Sequence, residues 1–193
     1  MYRMKRFIFF FIWVFLLYGC GTTTQQQVKS AQELKYKKIL VMPFTEGTEA
    51  QRSLAYDTFV QELSSFPEIQ ILGKGQVNAQ FIQDLDIPHP ESYGAIDFAN
   101  NLQGNNRRKK IEEKFSVDGI VFGSFFIDKE EVALYIQMMD METGGLTLSF
   151  SKETTMKNKD DQEAIKSLAK TCAQKVIEHI KDNVIITRFY RYW

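Results

Sequence analysis

The chain has 193 residues, a formal net charge of zero, 44% hydrophobic residues and 25% charged residues. These values are typical of one globular domain with tails, and they argue against a disordered or fibrous protein. The balance of 24 basic and 24 acidic residues also argues against a nucleic-acid partner, because proteins that follow phosphates carry a basic surplus.

A short hydrophobic leader opens the sequence. Arg3, Lys5 and Arg6 precede an uninterrupted apolar run from Phe7 to Leu17. A helix needs about 20 apolar residues to cross a bilayer, so this run is too short and matches the central region of a signal peptide. An uncleaved anchor helix is the alternative interpretation.

The segment that follows, "LYGC", resembles the bacterial lipobox, with Tyr18 standing where a small or β-branched residue is usual. The resemblance implies that residues 1–19 are a lipoprotein signal peptide. It also implies that Cys20 becomes the first residue of the mature protein and carries diacylglycerol and palmitate-type acyl chains. Gly21, in place of Asp, implies the outer membrane, facing the periplasm, under the enterobacterial sorting rule.

Residues 20–35 are polar and lack a sustained apolar period, which predicts a lipidated tether. Tyr36–Phe44 then has a continuous apolar centre, which predicts a buried strand ending at Pro43. The next segment predicts a helix that ends before Pro67, with apolar residues at helical spacing: Tyr56, Phe59, Val60, Leu63 and Phe66. A short strand, "EIQILG", follows.

The middle of the chain is less regular. Gly75–Leu85 predicts a short helix, and residues 86–106 form a long connection rich in Pro and Gly. Long connections in compact domains are often functional, so an enzyme site assembled from this loop stays open as an alternative. Asn106–Phe115 predicts another helix, which directs Ile111 and Phe115 inward.

The last part has the clearest patterns. Asp118–Ile127 predicts an apolar strand in which Gly123 marks a close approach or a bulge. Two alternating runs around residues 142–145 predict a hairpin, with Leu146, Leu148 and Phe150 on one face. Asp160 or Asp161 then caps a long helix with one apolar stripe: Ile165, Leu168, Ala169, Cys172, Ala173, Val176, Ile177 and Ile180.

This order of elements predicts a single α/β domain over residues 36–181, with a mixed sheet and helices packed on it. Three features within it, "KKILVMPF", "FSVDGIVFGSFF" and "DMETGGLTLSFS" before a long helix, resemble the CsgG and LpoB lipoprotein families. The resemblance implies an α/β domain on a lipidated tether. Two departures stand out: Lys74 replaces an expected Arg, and the chain is too short for the transmembrane hairpins of the curli pore.

Few groups of residues suggest a catalytic, phosphate-binding or metal site. Cys172 and His179 lie near one helix face, but Cys172 is within the apolar stripe, so a core role is expected, with His179 a cation at the helix C-terminus. "LGKGQVN" lacks the spacing of a phosphate-binding loop, and the sequence suggests no metal set and no cofactor.

The C-terminal segment, 182–193, is rich in residue types that are common at binding hot spots. It either packs on its own domain or contacts a partner or the membrane. The candidate partner-binding residues are Arg188, Phe189, Tyr190, Arg191, Tyr192 and Trp193.

The sequence therefore predicts a non-enzymatic, lipid-anchored interaction module of a bacterial cell-envelope machine, such as a cell-wall synthase. Its expected partners are the membrane, through lipid on Cys20, and an envelope protein of unknown identity. A homo-oligomer, in the form of a CsgG-like export component, is the alternative.

Overall fold

The computed structural model describes residues 30–73, 75, 105–158 and 161–188. The chain divides into two compact units, Gln32–Ile185 and the pair of segments Met1–Ala31 and Ile186–Trp193. Within the described residues the elements, in chain order, are β1 (Ser30–Leu34), β2 (Lys38–Val41), α1 (Glu49–Ser64), β3 (Gln70–Leu72), α2 (Asn105–Phe115), β4 (Gly119–Asp128), β5 (Glu131–Asp140), β6 (Leu146–Thr155), α3 (Gln162–Asp182) and β7 (Val184–Arg188).

A five-stranded mixed sheet with the order β3-β2-β4-β5-β6 is the centre of the larger unit. β2 is parallel to both of its neighbours, so that Leu40 lies opposite Leu72 on one side and Ile120 on the other. β4, β5 and β6 are antiparallel, and Gln137 of β5 lies between Phe122 and Ser149. The predicted fold class, a mixed α/β sheet with helices packed on it, is confirmed.

One face of this sheet is covered by α1 and α3. The main core includes Phe59 and Leu63 from α1 together with Leu134 and Ile136 from β5. The predicted stripe of α3 is confirmed, and its buried members are Ile165, Leu168, Ala169, Cys172, Ala173, Val176 and Ile180. Burial of such a stripe is the main source of stability for an amphipathic helix.

The opposite face has a second core. Ile111 and Phe115 of α2 pack there with Phe122 and Met139 of the sheet, among others. The predicted inward direction of Ile111 and Phe115 is therefore confirmed.

Both long helices begin at side chains that satisfy their free N–H groups. Thr48 and Gln51 form a capping box at α1, in which each side chain bonds the backbone of the other residue. Asp161 is the N-cap of α3, and its side chain accepts a hydrogen bond of 3.1 Å from the Ala164 N–H. The two alternatives for this cap are thus resolved in favour of Asp161.

The segment that follows β2 packs closely against the middle of β4. β2 ends at Val41, two residues before Pro43. Thr45 then forms an isolated β-bridge with Ser124 of β4, and the hydroxyl groups of these two residues lie 2.9 Å apart. Between these points the ring of Phe44 covers Gly123, and it contacts Phe59 edge to face. Gly123 thus marks a close approach, as predicted.

The hairpin differs from the prediction at its start. A register shift between Met138 and Met139 pairs Leu148 with Met138 but Leu146 with Met139. Opposed residues share a face and successive residues alternate, so Leu146 lies on the face opposite to Leu148 and Phe150. The prediction that all three share one face is wrong, because the bulge adds one residue, Thr147, to β6.

The polar segment also holds more structure than its composition indicated. Its last residues form β1, which pairs with β7 in a separate two-stranded sheet. Backbone hydrogen bonds to β7 supply the stabilisation that an apolar period would otherwise provide. The predicted helix at 75–85 and nearly all of the 86–106 connection lie outside the described residues.

Candidate interaction surface

A buried carboxylate organises one end of the sheet. Asp140, the last residue of β5, is fully buried and accepts a hydrogen bond of 3.1 Å from the Tyr36 hydroxyl. Its other oxygen accepts from the Thr143 N–H at 2.7 Å and from the Thr143 hydroxyl at 3.0 Å. Lys35 Nζ completes the set in an ion pair of 2.5 Å. Asp140 therefore connects the hairpin turn to Lys35 and Tyr36, the residues that precede β2.

The polar contacts continue from Asp140 to the end of α3. The Tyr36 hydroxyl lies 3.3 Å from Thr147 Oγ1, which in turn lies 3.3 Å from His179 Nε2. The rings of Tyr36 and His179 are stacked with their centres 6.3 Å apart. Asn183 closes α3 by donating its side-chain N–H to the His179 carbonyl at 2.7 Å. We call the group of Lys35, Tyr36, Asp140, Thr143, Thr147 and His179 the Asp140 cluster.

The protonation state and hydrogen bonds of Asp140 indicate a structural role for the Asp140 cluster. Burial would raise the pKa of Asp140, but the hydrogen bonds from Lys35, Thr143 and Tyr36 outweigh it and lower that pKa to about 2. Asp140 is thus ionised at neutral pH, and both of its oxygens have donors. A general base needs a pKa near the working pH and a free lone pair, so this carboxylate is unsuited to proton transfer.

His179 differs from its predicted role. Burial lowers the pKa of His179 below 6.5, although Asp182 opposes this shift. This shift favours the neutral imidazole and argues against the predicted role of His179 as a helix C-terminal cation. The desolvation comes from tertiary packing at the end of α3, which the sequence of the helix alone does not encode.

The second candidate for chemistry, Cys172, is a core residue as predicted. Its side chain is fully buried, and burial raises the pKa of the thiol to about 12. Nucleophilic cysteines are exposed in part and have lowered pKa values, so Cys172 is inert in the folded domain.

One groove lies beside the first turns of α1. A groove of about 200 Å³ lies between β2 and α1, lined by Pro43, Phe44, Tyr56 and residues of the first turns of α1. Typical ligand pockets measure about 300–1,000 Å³. Over the same described ranges, no three His, Cys, Asp or Glu side chains are placed to bind a metal ion. Nor does any helix described there have the length and apolar character to cross a membrane.

The sheet does present an open surface on the side of β4, β5 and β6 that faces away from α3. Phe126 is 49% exposed, and it lies opposite the half-buried Ala133. Two residues farther along β5, the Tyr135 hydroxyl lies 2.7 Å from that of Ser149. Leu146, 38% exposed, lies at the other end of the same face. We call Phe126, Ala133, Tyr135, Leu146, Ser149 and Ser151 the open face.

Most of the site residues predicted from the sequence are not among the described residues. Cys20 and Phe189–Trp193 are outside the described residues, and Arg188 is the last residue of β7. The lipid site and the C-terminal partner site therefore stay predictions. Lys74 also lies outside the described residues.

Sequence reasoning missed the Asp140 cluster and the open face. A signal for the first was present: Asp140 continues the buried alternation of Leu134, Ile136 and Met138, where an acidic residue requires partners. For the open face, the exposed aromatic Phe126 near the end of an apolar strand was the available signal.

Neither a protein-family model nor a curated protein matches the sequence. Solved structures do resemble the fold. The PelC dodecamer from Paraburkholderia phytofirmans gives a TM-score of 0.46 at 10% identity, over 79% of this chain and 94% of PelC. The lipoprotein GNA1162 from Neisseria meningitidis gives 0.47 at 16% identity, over 72% of this chain and 96% of its own.

The C-terminal domain of LpoB from Escherichia coli gives a TM-score of 0.44 at 16% identity, over 65% of this chain and 88% of that domain. The resemblance to LpoB predicted from the sequence is therefore confirmed as a structural similarity. At these identities and scores the likeness carries no statement about activity, so the function is argued from the chain itself.

Proposed function

We propose that this chain is a lipoprotein, anchored through Cys20 to the periplasmic side of a bacterial outer membrane, that acts as a non-enzymatic interaction module of a cell-envelope machine. In this proposal residues 1–19 are removed as a signal peptide and residues 20–35 connect the lipid to the domain. The leader supports the anchor, because its apolar run is too short to span and ends at a cysteine in a lipobox-like setting.

The open face is the observation that carries the interaction role. Phe126 presents an exposed aromatic ring on the sheet and Tyr135 a half-buried one, and aromatic residues are enriched at the centres of protein interfaces. Neighbouring hydroxyl groups of Ser149 and Ser151 supply a polar border. A single exposed apolar residue is ordinary on a protein surface, but an aromatic patch held by three strands is suited to a protein partner.

The mechanism is tethered binding. Acyl chains on Cys20 would hold the domain at a membrane surface, with about 0.8 kcal/mol gained for each buried methylene group. Confinement raises the effective concentration of the open face for a partner in the same envelope, so a weak contact suffices. The Asp140 cluster supports this arrangement, because it fixes the sheet end at which the tether joins the domain.

In intact cells, a photo-crosslinking amino acid at Phe126 tests the interaction role. We expect one envelope protein to be captured from this position. The matched control places the same amino acid at Lys170, an exposed residue of α3, where no capture is expected. Equal capture from both positions, or none from Phe126, would contradict the role of the open face.

Palmitate labelling tests the anchor separately. The change Cys20→Ser should abolish incorporation of labelled palmitate and release the protein from the membrane fraction. Cys172→Ser, at the other cysteine, should leave labelling unchanged. Label that persists in the Cys20→Ser variant would refute the anchor while leaving the test of the open face intact.

A further inference from the structure

Three carboxylates border the open face at the end near the turn between β4 and β5. Asp128, Glu131 and Glu153 are exposed residues of β4, β5 and β6. Asp128 lies opposite Glu131. Ala133 lies opposite Phe126 on one side and opposite Glu153 on the other. Opposed residues and alternate residues of a strand share a face, so all three carboxylates lie on the side of Phe126. We call these three carboxylates the acidic border.

The lysines next to the acidic border in sequence do not lie on its strand positions. Lys152, next to Glu153, lies opposite Leu134 and therefore on the α3 side of the sheet. Lys129, next to Asp128, is a residue of the turn between β4 and β5. Within the part of the chain that the structure describes, none of the three carboxylates is in an ion pair. The acidic border is therefore complementary to a cation that comes from outside.

The ring of Phe126 also lacks a cation that other rings of this domain have. Lys175 Nζ lies 4.5 Å from the ring centre of Phe150, and Lys181 Nζ lies 4.8 Å from that of Phe66. Phe126 is 49% exposed, more than any other large hydrophobic side chain described, and no cation of the described residues covers it. A cation placed over this ring would gain from the aromatic face and from the carboxylates beside it.

A buried acceptor on the same side of the sheet lacks a donor. Gln137 is only 3% exposed, and its side-chain N–H donates to the Tyr135 hydroxyl at 3.2 Å, which directs the amide toward the open face. Its Oε1 has no hydrogen-bond partner among the described residues. A buried acceptor without a donor is unfavourable. This second observation, which does not depend on the acidic border, favours a partner that brings N–H donors.

We propose that the open face binds an arginine-bearing segment of a partner protein, with a guanidinium group over Phe126 and beside the acidic border. This inference rests on the proposed function and names the chemistry of the partner. A guanidinium group is planar, stacks on aromatic rings and donates to carboxylates in pairs, which an ammonium group does not. The short side chain of Ala133, between Phe126 and Glu153, leaves room for it. Anionic lipid would be repelled by the same carboxylates, so a protein segment is the occupant.

A peptide probe tests this chemistry on the purified full-length lipoprotein in a neutral detergent. The probe is a short capped peptide of alternating arginine and serine. Its matched form carries citrulline, which keeps the shape of the arginine side chain without the charge. We expect the arginine probe to bind about fivefold more tightly than the citrulline probe, and the preference should diminish as salt is added.

Side-chain changes locate the site of the probe. Glu131→Gln combined with Glu153→Gln should weaken binding of the arginine probe about fivefold. Phe126→Leu should weaken it about threefold, because the apolar area remains but the aromatic face is lost. The matched control, Glu163→Gln combined with Glu178→Gln, removes the same charge from exposed positions of α3 and should leave binding unchanged.

Three results of the peptide measurements would overturn the inference. The first is equal affinity for the arginine and citrulline probes. The second is an equal loss of affinity in the α3 control and in the variant of the acidic border. The third is unchanged binding of the arginine probe to Phe126→Leu, because the guanidinium group would then not lie over the ring.

Capture in intact cells separates this inference from the proposed function. A photo-crosslinking amino acid at Ser151, combined with Glu131→Gln and Glu153→Gln, should capture about fivefold less partner than the same amino acid in the α3 control. Undiminished capture would overturn the inference and leave the proposed function standing. Absence of capture from both Ser151 and Phe126 would contradict the proposed function, while the peptide measurements would still decide whether the face binds arginine.

Discussion

The ring of Phe44 lies over Gly123 so closely that a Cβ atom on Gly123 would stand 2.4 Å from two ring carbons. This contact joins the chain after β2 to the middle of β4 and sets the position of α1 above the sheet. The contact gives a structural reason for a glycine in the middle of β4.

Gly123→Ala should destabilise the domain by about 1–3 kcal/mol, because the added methyl group overlaps a ring that is itself packed against Phe59. Chemical denaturation measures the loss. Gly75→Ala is the matched control, since a Cβ atom there meets nothing within 4 Å, and it should change stability by less than about 0.5 kcal/mol. Partial rescue of Gly123→Ala by Phe44→Leu would identify the ring as the cause, and an unaffected Gly123→Ala variant would contradict it.

Ionised Asp140 should make the free energy of unfolding depend on pH in the acid range. Its pKa is lowered to about 2 in the fold from an ordinary 3.8, so its contribution is complete above about pH 4 and is lost as the pH falls toward 2. We expect Asp140→Asn to cost on the order of 2 kcal/mol at pH 7, with the difference from wild type shrinking over that acid window. Unfolding curves at several pH values measure it.

A surface ion pair provides the control for Asp140. Glu33 and Lys37 lie 2.8 Å apart, but both side chains are more than half exposed, so Glu33→Gln should change stability very little. A difference between wild type and Asp140→Asn that is constant from pH 7 to 2 would show that the ionised form of Asp140 is not what stabilises the fold.

His179 should act in a different pH window. Because burial lowers its pKa below 6.5, the unfolded chain takes up the proton first as the pH falls. The stabilisation from neutral His179 is therefore present above about pH 6.5 and is lost below it. An NMR titration of the imidazole should give a midpoint below 6.5. A midpoint above that value would mean that the Asp182 charge outweighs burial.

Cys172 should be unreactive in the native protein. In the Cys20→Ser variant, which leaves one thiol, a thiol reagent at about pH 8 should label Cys172 only after denaturation, because burial raises its pKa to about 12. The rate of labelling then reports opening of the core between α3 and the sheet. Rapid labelling under native conditions would show that the middle of α3 separates readily from the sheet.

Much of the fold could be read from the sequence. The buried run before Pro43, the helix predicted over Asn106–Phe115 and the stripe from Ile165 to Ile180 follow from apolar spacing, which is a local property. The predictions of a signal peptide and of lipid on Cys20 also come from the sequence alone. They rest on residue types and run lengths that need no tertiary contact.

Tertiary structure decided the rest. The Tyr36 hydroxyl reaches Asp140 across 104 residues of sequence, and Thr147 meets His179 only because a bulge displaces the start of β6. Such contacts depend on strand order and register, which local periodicity does not specify. The sequence alone predicted most of the helices and strands, because apolar spacing is a local property, whereas long-range hydrogen bonding and strand pairing determined which surfaces of the described residues remain exposed.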